Sequence, residues 1–218
     1  MGSVQQWGPG TRQHLTPEQK REGIDRILTN RPQGEPFRVF AFGSLMWNPE
    51  CRVAKCIPAT VHNHERRFQI WSTRARGCDQ RPGLGLCLLP VPGGQCRGLI
   101  QELDESCLEQ DLVRLWDREQ NSGVYTPTWL AADVDGRDEI VMTFVVTRDH
   151  PHFVDDMPRD QMIEIMCKAQ GTYGTNHDYV KNLLIELDKL GVDDPDLRDL
   201  DACIRAKLDA EAAGGAGA

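Results

Sequence analysis

A strand-rich central stretch, from about residue 60 to residue 147, limits this chain to a small set of folds. Short apolar segments there are separated by clusters of Gly, Pro and Asp, as at 90–94 and 135–136, and such clusters are typical of turns. Helical patterns lie before, inside and after the stretch. We therefore predict an α+β fold in which the strand-rich centre closes into a small barrel with helices outside. The predicted strands are 37–42, 67–72, 85–89, 95–101, 128–133 and 139–147.

Capping signals predict the first helix. Thr16 and Gln19 form a capping-box pattern, so the first helix should begin there and end near Pro32. Apolar spacing predicts one helix inside the strand-rich stretch, at about 104–120.

The chain after residue 157 is predicted to be helical. Asn176 is expected to cap a helix with a leucine stripe that ends at Gly191. Asp194-Pro195 is expected to open the last helix.

The length of 218 residues favours one well-buried core. We predict a flexible arm at 1–15, a single domain at 16–209 and a disordered tail at 210–218. The tail is poor in large side chains and cannot bury enough apolar surface to fold.

The charge and hydropathy patterns exclude several functional classes. A net charge of −8 argues against a nucleic-acid surface, which needs a basic stripe. The sequence has no apolar run near the roughly 20 residues that cross a bilayer, and its start lacks a signal-peptide pattern. We therefore expect a cytoplasmic protein with no membrane or nucleic-acid partner. The sequence carries no signal for an oligomeric state.

The eight cysteines do not predict a disulfide framework or a metal site. They are scattered and form no CxxC pair, so reduced thiols packed as small hydrophobic groups are expected. Cys51 and Cys56 have no second pair at ligand spacing. His62 and His64 alternate on one strand face, and no acidic or thiolate residue lies next to them on that face. No metal is expected.

Glu119 is the residue that stands out in the central helix. Leu108, Leu112, Leu115 and Trp116 share one face, and Glu119 lies within about 20° of two of these leucines around the helix axis. Asp111 and Arg118, in contrast, are predicted to project elsewhere. Glu119 is therefore either a rim residue that reaches water or an arginine, or a general base whose pKa is raised by partial burial.

The first predicted strand ends in a Gly43-Ser44 turn. Such a turn exposes backbone N–H groups that can bind an oxyanion or a carboxylate. Most turns of this kind have no ligand, so both readings stay open.

Residues 40–49, FAFGSLMWNP, resemble the FGYGSLMWNP signature of the ChaC-like γ-glutamylcyclotransferases. The resemblance extends in order over about residues 37–200. The further matching segments are Arg66-Arg67-Phe68, Trp71-Ser72-Thr73, Arg76-Gly77, Arg81-Pro82-Gly83, Arg97-Gly98, Leu115 to Glu119, Gly123-Val124-Tyr125, Trp129, Gly171, Asn176 and Asp178-Tyr179-Val180. Two positions depart from the signature, since Ala41 replaces a Gly and Phe42 replaces a Tyr. If the turn acts through its backbone N–H groups, the Phe is harmless.

The resemblance implies a small mixed β-barrel flanked by helices and an enzyme without cofactor or metal. It implies that glutathione is converted to 5-oxoproline and Cys-Gly by intramolecular aminolysis. Glu119 matches the family's catalytic acid/base, and Arg76 is a candidate carboxylate clamp. The expected substrate-binding residues are Phe42, Gly43, Ser44, Leu45, Arg76, Tyr125 and Tyr179.

Two alternatives remain. The substrate is either glutathione or another γ-glutamyl amino acid or amine. A different class of function is a non-catalytic γ-glutamyl-binding or cation-transport regulatory protein, in which the Phe42 change marks a lost activity.

Overall fold

The computed structural model describes residues 14–215 and places the strand-rich stretch in a closed β-barrel. Within these residues, the barrel strands are β1 (Arg38–Ala41), β2 (Val53–Ser72), β3 (Gly83–Leu103), β4 (Tyr125–Val134) and β5 (Arg137–Val146), hydrogen-bonded in the order β1-β3-β2-β4-β5. The pairs β1–β3, β2–β4 and β4–β5 are antiparallel, whereas β1–β5 and β3–β5 are parallel. The predicted α+β barrel is confirmed, and it is mixed.

Strands β2 and β3 are much longer than predicted, at 20 and 21 residues. The Pro- and Gly-rich segment 90–94 was expected to end a strand, but β3 continues through it. Asn63 of β2 and Gly93 of β3 both have positive φ angles, of 57° and 77°, and the Gly93 N–H donates to Asn63 Oδ1 at 3.0 Å. Such residues absorb a local bulge or twist without ending the strand.

The chain forms two compact units. The barrel unit, residues 14–67 with 86–150, contains most of the barrel, helices α1 (Pro17–Thr29) and α2 (Leu108–Glu119), and the 3₁₀ helices Ser44–Met46 and Glu105–Cys107. The helical unit, residues 68–85 with 151–215, contains α3 (Arg159–Lys168), α4 (Asn176–Lys189), α5 (Pro195–Gly215) and the short pair β6 (Gln170–Gly171) and β7 (Gly174–Thr175). The single domain at 16–209 stays a prediction.

Helix α2 packs on the barrel through Trp116. This side chain is 1% exposed and meets the Phe144 ring of β5 edge-on, with the ring centroids 5.5 Å apart. Helix α1 comes close to it at Gly23, where a Cβ atom would lie only 2.7 Å from Trp116 Nε1. The burial of Trp116 fixes α2, and with it the position of Glu119 three residues later.

The predicted buried face of α2 is confirmed, but the prediction for Asp111 is wrong. Leu108, Leu112, Leu115 and Trp116 are all buried. Asp111 is also fully buried, and its carboxylate accepts a hydrogen bond from the Arg52 N–H at 2.8 Å and contacts two arginine side chains. A buried carboxylate needs such partners.

The capping box of α1 is confirmed, since the Thr16 side chain accepts from the Gln19 N–H and the Gln19 side chain accepts from the Thr16 N–H. The cap of α4 was misassigned. Thr175 caps this helix, and Asn176 is its first residue, with a completely buried side chain.

The predicted terminal segments lie partly outside the described residues. Of the predicted arm at 1–15, only His14 and Leu15 are described, and the Leu15 N–H donates to the Asn121 carbonyl at 3.2 Å. Helix α5 runs to Gly215, six residues into the predicted tail at 210–218, because Ala and Glu have high helix propensity and extend a helix that is already formed. Residues 216–218 are not described. In the part of the chain that is described, no helix has the length and apolarity needed to cross a bilayer.

We predict that Gly98→Ala destabilises the barrel. A Cβ atom at Gly98 would lie 2.3 Å from the Ala41 carbonyl oxygen and 2.9 Å from Phe40 Cζ, and overpacking of this kind costs about 1–3 kcal/mol. Urea unfolding of the variant measures the loss. Gly85→Ala on the same strand is the control, because its nearest neighbour would be an Ile70 atom at 3.5 Å, and its stability should change by less than about 0.5 kcal/mol. Equal stability of the two variants would contradict the close approach of β1 to Gly98.

Candidate active site

Strand β1 leads directly into the Gly43-Ser44 turn predicted from the sequence. Gly43 precedes the 3₁₀ helix Ser44–Met46, and the Met46 N–H donates to the Gly43 carbonyl at 2.9 Å. The Asn48 N–H then donates to the Ser44 carbonyl at 3.0 Å. The segment therefore folds into a compact turn at the end of β1, which we call the β1 turn (residues 42–48).

Two side chains from neighbouring strands hold the β1 turn. Gln101 of β3 is 1% exposed, and its Nε2 donates to the Leu45 carbonyl at 2.7 Å. Arg66 of β2 donates from Nη1 to the Phe42 carbonyl at 3.1 Å. The Phe42 ring itself is buried and carries no polar atom that needs a partner. Sequence reasoning missed Gln101, since a single glutamine in a strand has no recognisable signature.

Glu119 is the last residue of α2, and its side chain is 16% exposed. Burial raises the pKa of the Glu119 carboxyl above its ordinary value. The neighbouring Arg118 opposes the rise through its charge and a hydrogen bond, and the negative charge of Glu50 adds to it. The half-buried position expected from the helix pattern is therefore present, with a cause for the altered acidity.

Arg118 connects Glu119 to the β1 turn, a contact that the helix pattern did not predict. Its Nε lies 3.0 Å from Glu119 Oε1, and its Nη2 donates to Ser44 Oγ at 2.7 Å. Its Nη1 donates to the Asn48 carbonyl. The helix ends at Glu119, so the long Arg118 side chain can lie along the adjacent turn instead of extending into water.

Tyr125 lies at the start of β4, after the loop that follows α2. Its hydroxyl donates to the Leu86 carbonyl at 2.8 Å, and its ring packs edge-on against Phe144 at 6.4 Å. The buried Gln120 donates from Nε2 to the Tyr125 carbonyl at 2.9 Å. Tyr125 is therefore anchored to the barrel, and its role in substrate binding stays a prediction.

Arg76 and Tyr179 are brought together in the helical unit. The Arg76 guanidinium carbon lies 5.0 Å from the centre of the Tyr179 ring, a cation–π contact. Arg76 Nη1 also donates to the Tyr173 carbonyl and, at 3.3 Å, to the Thr175 carbonyl. These contacts hold the guanidinium in one orientation. A contact of Arg76 or Tyr179 with substrate stays a prediction.

In the loop that carries Arg76, the backbone comes so close to itself at two positions that only glycine fits. A Cβ atom at Gly77 would lie 2.2 Å from the Gly83 nitrogen, and one at Gly83 would lie 2.3 Å from the Arg76 carbonyl oxygen. Asn176 pairs with the backbone of Leu84, accepting from its N–H at 3.1 Å and donating to its carbonyl. Gly77, Gly83 and Asn176 all lie in segments that resemble the family, and the packing of this loop explains why these residue types are needed there.

Cys51, the residue after Glu50, does not carry an activated thiol. Burial, and then the charge of Asp111, raise the pKa of Cys51 to about 11, so the thiol is protonated at neutral pH. Among the residues described, no group of three or more His, Cys, Asp or Glu side chains is arranged to hold a metal ion.

The family model described as ChaC-like protein matches residues 37–207, a range that includes the β1 turn, Glu119 and the Arg76–Tyr179 pair. The chain belongs to the ChaC-like family. This ChaC-like chain is 36% identical over 192 residues to the glutathione-specific γ-glutamylcyclotransferase of Escherichia coli, with 88% of this chain and 82% of the relative covered. It is 28% identical over 202 residues to the protein of the same name from Schizosaccharomyces pombe, with 84% and 98% covered.

A solved structure supports the fold of this ChaC-like chain. The crystal structure of a γ-glutamyl cyclotransferase specific to glutathione from yeast matches with a TM-score of 0.72 at 20% identity, over 80% of this chain and 97% of that one. The expected barrel fold is confirmed by this likeness.

We predict that Asn176→Ala strongly destabilises the protein. The substitution leaves the Leu84 N–H and carbonyl without the side-chain partner they now have, and each buried unpaired group costs about 1–3 kcal/mol. Urea unfolding measures the change. Asn182→Ala is the matched control, because Asn182 is exposed on the same helix. A small effect at both positions would contradict the structural role of Asn176.

Proposed function

We propose that the chain is a glutathione-specific γ-glutamylcyclotransferase that converts glutathione to 5-oxoproline and Cys-Gly. The observation that carries the proposal is the half-buried Glu119 carboxyl, which Arg118 connects to the β1 turn. Membership of the ChaC-like family and the 36% identity to the Escherichia coli enzyme support the same reaction.

The reaction needs a substrate held in a folded conformation and a group that transfers protons. The α-amino nitrogen of the γ-glutamyl group attacks the γ-amide carbonyl carbon of the same molecule, a five-membered ring closes, and the bond to the cysteine nitrogen breaks. Nucleophile and electrophile are already in one molecule, so holding the substrate in a folded conformation supplies much of the acceleration.

Glu119 is the proposed acid/base. The attacking nitrogen begins as an ammonium group with a pKa near 8, and Glu119 takes a proton from it. Glu119 then returns this proton to the leaving cysteine nitrogen as the C–N bond breaks. The excess proton on the new ring nitrogen passes through the same carboxylate to the released amine, so that the ring amide of 5-oxoproline and the ammonium group of Cys-Gly form and the carboxylate is regenerated. A carboxyl whose pKa is raised by burial is a stronger base than an exposed Glu and suits both steps.

The β1 turn is the proposed binding site for the γ-glutamyl end. The backbone N–H groups of Gly43, Ser44 and Leu45 are proposed to bind the α-carboxylate or the oxyanion that forms on the amide carbonyl. The guanidinium of Arg118, which donates to Ser44 Oγ, places a positive charge beside this turn and favours an anionic ligand. Phe42 is proposed to contact the substrate through its backbone.

Arg76, Tyr125 and Tyr179 are proposed as further substrate ligands. Arginine binds carboxylates through two parallel hydrogen bonds, and glutathione carries two carboxylates. The two tyrosines are proposed to contribute their hydroxyl groups. We also propose a cytoplasmic location, where glutathione keeps thiols such as the eight cysteines of this chain reduced.

We predict that purified protein releases 5-oxoproline from glutathione and that Glu119→Gln lowers the rate by about 10²–10⁴-fold, the usual contribution of general acid–base catalysis. The same assay includes γ-glutamyl-alanine. Glu109→Gln, an exposed position in the first turn of α2, is the matched control and should keep the rate.

Each outcome of this assay decides between the alternatives. Release from γ-glutamyl-alanine alone would retain the mechanism and change the substrate. An unchanged rate in Glu119→Gln would remove Glu119 as the acid/base. Folded protein that releases 5-oxoproline from neither compound would overturn the cyclotransferase proposal in favour of a binding or regulatory role.

A further inference from the structure

The Arg118 guanidinium lies between two carboxylates. Its Nε is 3.0 Å from Glu119 Oε1, and its Nη1 is 3.3 Å from Glu50 Oε1. The Arg118 and Glu119 side chains are 18% and 16% exposed, and that of Glu50 is 40% exposed. Partial burial strengthens the interaction of these charges relative to ion pairs on the open surface.

Glu50 is held in this position by its backbone as well as by its side chain. Its φ angle of 54° lies in the left-handed region, which residues other than glycine rarely adopt and which is often found at functional sites. Its carboxylate also accepts a hydrogen bond from Asn48 Nδ2 at 3.2 Å. Since Arg118 donates to the Asn48 carbonyl, the same short segment orients both partners of the Arg118–Glu50 pair.

We propose that Arg118 is a positioning residue that holds the Glu119 carboxylate in place for proton transfer, and that Glu50 weakens this hold by competing for the same guanidinium. The inference rests on the proposed role of Glu119 as the acid/base. Together, Arg118 and Glu50 set how readily Glu119 gains and loses its proton.

The chemistry requires a balance between these charges. A carboxylate paired with a guanidinium alone becomes a weaker base, because the positive charge stabilises its ionised form. A carboxylate that is only desolvated, without a partner, stays protonated over much of the neutral range. Glu50 draws part of the Arg118 charge away from Glu119, so the base keeps an orientation without losing its basicity.

The two charged residues act on Glu119 in opposite directions. Arg118, on its own helix, lowers the pKa of the Glu119 carboxyl, and Glu50, in the segment after the β1 turn, raises it. Removing the charge of Arg118 should therefore raise this pKa. Removing the charge of Glu50 should lower it, both directly and by leaving Arg118 to pair with Glu119 alone.

The test is the pH dependence of kcat/KM for 5-oxoproline release from glutathione. The base must be ionised to act, so the acidic limb of the profile reports its pKa in the free enzyme. In Arg118→Gln the acidic limb should move to higher pH, and the plateau should fall by up to about 10²-fold as the carboxylate loses its orientation. In Glu50→Gln the acidic limb should move to lower pH. Arg118→Lys keeps the charge and should restore the midpoint but not the full plateau.

Matched controls separate this effect from general loss of charge or fold. Arg21→Gln on the exposed side of α1 and Glu109→Gln on the exposed side of α2 remove one charge of each sign away from the site and should leave the acidic limb in place. A plateau that falls in both site variants without opposite movements of the limb would overturn the inference and leave Arg118 and Glu50 with a purely structural role.

A second readout keeps the inference separate from the proposed activity. The Glu119 carboxyl carbon is followed by ¹³C NMR titration in the wild type, Arg118→Gln and Glu50→Gln, and assigned by its loss in Glu119→Gln. Opposite shifts of the titration midpoint support the inference even if glutathione is not turned over, a result that would reject only the proposed function. Equal midpoints in all three proteins would reject the inference, whatever the enzyme's activity.

Discussion

The hydrogen bond from Arg118 to Ser44 connects the two parts of the barrel unit on which the proposed chemistry depends. On one side is the β1 turn, fixed by Gln101 and Arg66 through its carbonyls. On the other is the end of α2, fixed by the buried Trp116. Arg118 joins them by donating to Ser44 Oγ at 2.7 Å, so the proposed acid/base and the turn proposed to bind the substrate are held together by one side chain. Without this contact, Glu119 would lose its connection to the β1 turn through Arg118.

Close packing around small residues makes this arrangement possible. Gly98 lets strand β3 approach the Ala41 carbonyl next to the turn, and Gly23 lets α1 approach the indole of Trp116. In the helical unit, Gly77 and Gly83 allow the Arg76 loop to fold tightly on itself. These positions are filled by glycine because neighbouring atoms occupy the space of a Cβ. The matched family motifs therefore combine residues proposed to act on substrate with residues that shape the backbone around them.

Local signals in the sequence predicted local structure well. The capping box at Thr16 and the apolar face of α2 depend on residues three or four positions apart, and both are present. The contacts of Arg118 were missed because Ser44 is 74 residues away in the chain, and no helical periodicity reports such a neighbour. Asn176 was misread as a cap for a similar reason, since its partner Leu84 is 92 residues away. The end of β3 was predicted wrongly at its Pro- and Gly-rich segment, because a bulge inside a strand and a turn at its end have the same composition.

Glutathione binding to the Glu119→Gln variant tests most directly whether Glu119 performs the chemistry and the rest of the site performs the binding. Calorimetry on this variant measures affinity without turnover. The account predicts that glutathione still binds, with a Kd within a few-fold of the wild-type KM, while no 5-oxoproline forms. Loss of binding together with loss of activity, in a variant that keeps the wild-type fold, would contradict it and make Glu119 a binding residue.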